Sequence, residues 1–289
     1  MAGVISNKSI FALSVISLVL LVPAGSWSRP IWVGDTVLAV PDPPGFARVT
    51  PRMAALFQLV KHFVGPDNEE FLSYIPESEV QKALNNEMPD LERRCSVQTA
   101  KALIDISVSK SDFSRLKGQM KTQMDEIFKK VEEQMPGLVE NVNKGITEQT
   151  GLDAALSLSQ VIPLPPHEET DRTLALSQFG KVGARDEAGR PVSRVFACTA
   201  TLVHVKAKVL FLYLYAEESG LEWSRTKAKE WADSIVAANP PDDTSLARES
   251  VSRPVGGIRW HKAVQRGVAG AVLATIAGLA AWIRRRVKG

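Results

Sequence analysis

The sequence predicts an α+β domain, a mostly antiparallel sheet with flanking helices, plus one C-terminal transmembrane helix. Three observations carry this reading. Stretches of two-residue alternation are interleaved with three-and-four spacing across residues 29–239. Late in the chain, strands follow one another at hairpin rather than crossover spacing. The chain then closes on an uncharged run at 267–283, followed at once by Arg284, Arg285 and Arg286.

Residues 1–28 read "MAGVISNKSIFALSVISLVLLVPAGSWS". Lys8 alone precedes an apolar run from Ile10 to Ala24, and small residues follow it. That is the layout of a secretory signal peptide, with Ala24 and Ser26 placed for cleavage before Trp27. Cleavage after Ser28, or retention of the segment as an anchor with Lys8 inside, are the alternatives. All leave the body of the chain on the same side of the membrane.

In the body, "DTVLAVPDPPGFARVTP" offers a short strand and a Pro-Pro-Gly turn. Thr50 and Pro51 then suit a helix start as cap and first helical residue. Met53, Leu56, Phe57, Val60 and Phe63 form that helix's buried stripe, which Gly65-Pro66 ends. "EEFLSYI" predicts a strand, and residues 77–84 a short helical turn. "CSVQTAKALIDISVS" alternates throughout and predicts one strand, with Ala102, Ile104, Ile106 and Val108 on a common face.

The longest helix is expected over 111–135, where Phe113, Leu116, Met120, Met124, Ile127, Phe128, Val131 and Met135 keep helical spacing. Pro136-Gly137 should break it before a shorter helix over 138–146. "LDAALSLSQVIPL", "RTLALSQF", "SRVFACTATLVHV" and "KVLFLYLYA" read as strands, the last two joined tightly through Lys206-Ala207-Lys208. "KVLFLYLYA" is apolar on both faces and so belongs at the centre of the sheet. A closing helix turns Ala228, Trp231 and Ile235 inward and stops at Asn239-Pro240-Pro241.

This order over residues 36–239 (the turn after Pro44-Gly45-Phe46, a helix, strands, a long helix, "VFACTATLVHVKAKVLFLYLYA", then "WADSIVAAN") is similar to the PsbP-like fold of small extracytoplasmic proteins. No diagnostic motif accompanies the resemblance. It implies a non-catalytic accessory protein, and binding more than chemistry.

At the C-terminus the 17 uncharged residues at 267–283 would span about 25 Å as a helix, the short end for a bilayer. Trp260 and Trp282 bracket the run at the spacing of two membrane interfaces. Arg284, Arg285 and Arg286 should stay cytoplasmic, which puts the body outside. Gly270, Ala274 and Gly278 recur every fourth residue, the small-residue face through which helices associate, and suggest weak homo-association. The expected organisation is a signal peptide over 1–28 and an extracytoplasmic domain over 29–239. A linker and juxtamembrane segment follow over 240–263, then the transmembrane helix over 264–283 and a basic cytoplasmic tail over 284–289. The tether at 240–258 would reach about 25 Å as a flexible coil.

Charge is segregated. Residues 29–258 hold 27 Lys and Arg against all 32 Asp and Glu, while seven basic residues and no acids follow. A basic end on an acidic body suits anionic lipid, and no nucleic-acid partner is expected. Cys95 and Cys198 both fall in predicted strands. Outside the cytosol an even count invites a disulfide, with two buried free thiols as the equal alternative. His62, His167, His204 and His261 form no spaced pair, and "PPHEETD" reads as a solvated turn rather than a metal site. No nucleophile elbow, phosphate loop or Cys-x-x-Cys is present, so no catalytic, cofactor-binding or metal residue is nominated.

The expected function is therefore a single-pass, membrane-anchored extracytoplasmic binding or accessory domain of the cell envelope. Its bilayer contact would run through 264–283, with an envelope or membrane protein as partner. The alternative is an extracytoplasmic hydrolase or other enzyme with a dispersed, motif-less active site. A pocket joining His167 or His204 to carboxylates would favour the enzyme, and a flat exposed apolar face over residues 113–135 the binder.

Overall fold

The computed structural model describes residues 29–150, 156–185 and 190–241. In chain order these give β1 (Arg29–Val33), β2 (Thr36–Val40), β3 (Phe46–Arg48), α1 (Ala54–Lys61) and β4 (Asn68–Pro76). Next come α2 (Val80–Leu84), β5 (Arg94–Ala100), α3 (Lys110–Thr122) and α4 (Met124–Thr150). The rest are β6 (Ser157–Pro163), β7 (Glu168–Glu169), β8 (Thr173–Arg185), β9 (Pro191–Val205), β10 (Lys208–Glu217) and α5 (Leu221–Ala238). The chain is thus α+β, with helices flanking an antiparallel sheet.

The main sheet runs β3-β4-β5-β10-β9-β8-β6, and β7 shares the outer edge of β8 with β6. All of its pairings are antiparallel. β10 lies at the centre, as its apolar faces require, and is buried from Lys208 to Ala216. Its link to β9 is the two-residue turn Lys206-Ala207, both residues at positive φ (45° and 59°). A tight hairpin joining right-twisted strands demands that geometry.

One face of the sheet carries α5 and a separate hairpin, β1–β2. The hairpin turns on Gly34-Asp35, and Gly34 takes φ +60°. A side chain at Gly34 would also collide with the Ile104 carbonyl, 2.5 Å from where a Cβ would stand. Ile31, Val33, Leu38 and Val40 point into this layer, beside Trp231 and Ile235 of α5. Trp231 meets Tyr74 edge-on at 5.5 Å and donates its indole N–H to the Pro41 carbonyl at 2.8 Å. The Asn239 side chain accepts from the Ala39 amide (2.9 Å) and donates to the Ala39 and Ile235 carbonyls (2.7 and 2.8 Å), closing α5 onto β2.

The other face is covered by α1 to α4. Met53, Leu56, Leu59 and Phe63 from the first of these segments, and Phe113, Leu116 and Met120 from α3, fill it. The methionine-bearing stripe therefore faces the core, with Phe128 buried and Met124 half-buried; the side chains of Ile127, Val131 and Met135 lie outside the described ones.

Four expectations need correction. The first helix starts at Ala54 with Met53 as its cap, so Thr50 and Pro51 precede it in a turn. The long helix does not run to Met135. It breaks at Gln123, where the Thr122 hydroxyl donates to the Gly118 and Gln119 carbonyls and competes with the helix ladder, and Pro136 sits inside α4. The strand through Cys95 ends at Ala100, because Lys208 is buried beneath the next segment and binds the Ile104 and Ile106 carbonyls (2.8 and 3.3 Å). Finally, β1 and its Gly34-Asp35 turn extend the first strand reading into a hairpin. Among the described residues no helix is long and apolar enough to cross a membrane. The signal segment 1–28, Trp260, Gly270, Ala274, Gly278, Trp282, Arg284, Arg285 and Arg286 all lie outside the described residues.

Candidate binding cleft

Two local features of β4 create the site. First, β3 pairs only with Tyr74, Ile75 and Pro76, so residues 68–72 of β4 have no strand on their outer side. Second, the β4–β5 register slips between Glu70 and Leu72, a bulge that inserts Phe71 and re-aims its neighbours. The space beside this bare edge is walled by α1 and by residues 64–66. It forms an open cleft of about 550 Å³. Val49, Phe57, Val60 and Val64 give it apolar walls; Lys61, Lys101 and Glu69 stand with them, and Glu70 lines it too. Lys101 bridges the rim by donating to the Pro66 carbonyl at 2.9 Å.

Glu70 is the decisive side chain. It is opposite Gln98 in register, so it points to the α1 face and into the cleft. Burial pushes its carboxyl up to about 7, against the lowering effects of a Ser73 hydrogen bond and the Arg94 charge. Behind it, a void of about 10 Å³ lies among Glu70, Ser73, Arg94, Ser96 and Gln98. That is room for roughly one water. Asn68 donates to Gln98 and Gln98 to Ser96 (3.1 and 3.3 Å), so the amides along this wall are chained together.

Arg94 begins a polar row that crosses four strands. In register it is opposite Tyr215, which is opposite Cys198, which is opposite Gln178. The guanidinium lies 3.9 Å from the Tyr215 ring centre and 5.4 Å from that of Phe63. Nε and Nη2 of Arg94, the Tyr215 hydroxyl and Oε1 of Gln178 have no hydrogen-bond partner among the described residues. Burial lowers the Arg94 pKa, raises that of Tyr215, and pushes the Cys198 thiol up to about 12. Unpaired buried polar atoms cost free energy, so this row is an expense to the fold.

The nominated cysteines are both buried and free. Cys95 is opposite Leu214 and Cys198 opposite Tyr215, so their side chains leave opposite faces of the sheet with β10 between the two strands. Two strand spacings amount to about 9.5 Å, beyond disulfide reach. The disulfide is thus not formed.

His204 is fully buried; its Nε2 meets the Val108 carbonyl at 2.7 Å and its ring stacks on Phe113. His167 is half-buried, and burial followed by the Arg225 charge pushes its pKa down. Neither lines the cleft. The "PPHEETD" segment is a largely exposed turn, held by two surface contacts: Glu169 accepts from Lys121 at 2.7 Å and Glu168 pairs with Lys229 at 2.9 Å. Among the described residues no three His, Cys, Asp or Glu gather as a metal site would need.

Glu70 and Arg94 were missed in the sequence. Their trace was "RCSVQTA", where Arg94, Ser96 and Gln98 alternate with Cys95, Val97 and Thr99. That alternation ordinarily marks a solvated face; here both faces are covered.

No family model, curated protein or solved structure matches this chain. The likeness to PsbP-like proteins therefore rests on element order alone.

Proposed function

We propose that the chain is a membrane-tethered, extracytoplasmic binding domain that holds a small molecule in the Glu70 cleft. The cleft itself carries this reading: about 550 Å³ of part-apolar space beside a bare strand edge, with a few polar groups converging on it. Below about pH 7, where Glu70 keeps its proton, Lys61 and Lys101 outweigh Glu69. The ligand that fits is one with an apolar body and a single anionic end. Both chain termini support the address: the apolar segments at 10–24 and 267–283 and the arginines behind the second are membrane signals.

The test uses the full-length chain in detergent, with thermal unfolding followed against small carboxylates and phosphates bearing apolar bodies. At a hundredfold excess over Kd, a bound ligand adds about 2.7 kcal/mol, a rise of several degrees in Tm. Val64→Trp, which fills the cleft wall, should remove that rise and leave the free Tm nearly unchanged. A panel that never stabilises the protein, or stabilisation indifferent to Val64→Trp, overturns the reading. For the address, protease added to intact cells should cut within 29–241, and alkaline carbonate should leave the chain in the membrane pellet.

One observation favours a catalytic second reading. A carboxyl that titrates near 7 in a cleft is suited to general acid-base work. Under that reading Glu70→Gln stops turnover of a bound ligand while binding persists.

A further inference from the structure

The β1–β2 hairpin is apolar on both faces. Ile31, Val33, Leu38 and Val40 are buried against the sheet. The outward face consists of the directly opposed pairs Pro30–Ala39 and Trp32–Val37. Trp32 is 65% exposed and Val37 37%, two of the three exposed large hydrophobics among the described residues. An antiparallel hairpin with one face on a core ordinarily turns polar residues to water.

Where the chain ends leave the domain says what covers this face. β1 begins at Arg29, immediately after the apolar N-terminal segment. At the other end Asn239 is bonded through its side chain to both backbone groups of Ala39, the register partner of Pro30. Arg29 and Asn239, next to the segments 1–28 and 242–289 that contain the two apolar runs, therefore lie at the same corner of the hairpin. Trp32 lies two residues from that corner, about 7 Å along the strand.

We propose that the outer face of the β1–β2 hairpin is a membrane-contact surface. Trp32 and Val37 enter the interfacial layer of the bilayer that holds the chain and fix the orientation of the domain upon it. Indole rings favour that layer, and the backbone beside them is already paired within the hairpin. The inference rests on the membrane-tether reading and is independent of the cleft.

The experiment places the full-length chain in phosphatidylcholine vesicles, with an environment-sensitive fluorophore on Val37→Cys or, as a control on the opposite layer, on Glu87→Cys. Cys95 and Cys198 are buried and do not compete for label. Lipids carrying a headgroup nitroxide should quench the label at position 37 about twofold and leave position 87 unchanged. Trp32→Lys, a change at an exposed position, should abolish that quenching. If the chain floats with the vesicles but neither position is quenched, the contact surface is refuted and the tether stands. Chain that fails to float refutes the tether, and the surface with it. Quenching at 37 that survives Trp32→Lys, or a position 37 shielded from soluble iodide in detergent alone, assigns the face to another occupant and overturns the proposal.

Discussion

Tyr74 and Tyr215 stand on opposite faces of one sheet and are treated differently. The Tyr74 hydroxyl donates to Asp42 at 3.0 Å, Asp42 also takes Arg48 at 2.6 Å, and the ring meets Trp231. Among the described residues the Tyr215 hydroxyl has no hydrogen-bond partner, and its ring lies under the Arg94 guanidinium, whose Nε and Nη2 also lack one. The α5 face is thus packed for stability: Tyr74, Trp231 and Thr199 are answered, and the Thr201 hydroxyl is its exception. The α1 face keeps a row of unanswered polar groups running from Arg94 to Gln178, beside the cleft. Natural sequences tolerate such conflict where a site needs it.

Five substitutions can break or sharpen this contrast. The largest effect is expected on the satisfied face. Trp231→Ala should remove about 3–5 kcal/mol, read as a fall in the denaturant midpoint, because it empties a filled layer and orphans the Pro41 carbonyl. A loss below about 1 kcal/mol would remove the claim that this face carries the stability.

Next comes the pH dependence of Glu70. Below pH 4.5 the carboxyl is protonated both folded and unfolded and contributes nothing. Between 4.5 and about 7 the unfolded chain releases the proton while the folded chain keeps it, so stability falls as pH rises, and above about 7 the full penalty persists. The fall should reach about 2 kcal/mol, less than the whole shift implies because the carboxyl still faces water in the cleft. Chemical unfolding of Glu70→Gln across that range should give a flatter profile and a more stable protein at pH 8.

Arg94→Met is expected to raise stability by about 1 kcal/mol, since a buried charge lacking full hydrogen bonding is replaced by an apolar chain of similar reach. A large loss would show that the guanidinium is better satisfied than its neighbours indicate. The smallest effects come from the tyrosine pair itself. Tyr74→Phe should cost about 1 kcal/mol and Tyr215→Phe close to none, measured in parallel melts. Equal costs would erase the distinction between the faces.

Much of the scaffold was legible. The run "KVLFLYLYA" declared a central strand by being apolar on both sides, and Met53 to Phe63 marked α1 by spacing alone. What failed did so because long-range contacts outweigh local pattern. Ile104 and Ile106 alternate like strand residues, but their carbonyls are claimed by Lys208, a hundred residues away. Pro136 looked like a stop, yet the break comes earlier, at Gln123, and Pro136 sits inside α4. The site was the least legible part. Glu70 sits beside Glu69 in an ordinary acidic pair, and only the bulge at Phe71 and the bare edge of β4 make one of the two a cleft residue.

The knot of Asn239 on Ala39 has a mechanical consequence. Because Pro30 of the first strand and Asn239 at the end of the last helix both bear on Ala39, tension drawn between the two ends of the domain would load a few side-chain hydrogen bonds and the hairpin rung beside them. The sheet would feel almost none of it. Asn239→Ala would cut that clasp, and a pull on the tail would then peel the last helix from the body before any strand parted.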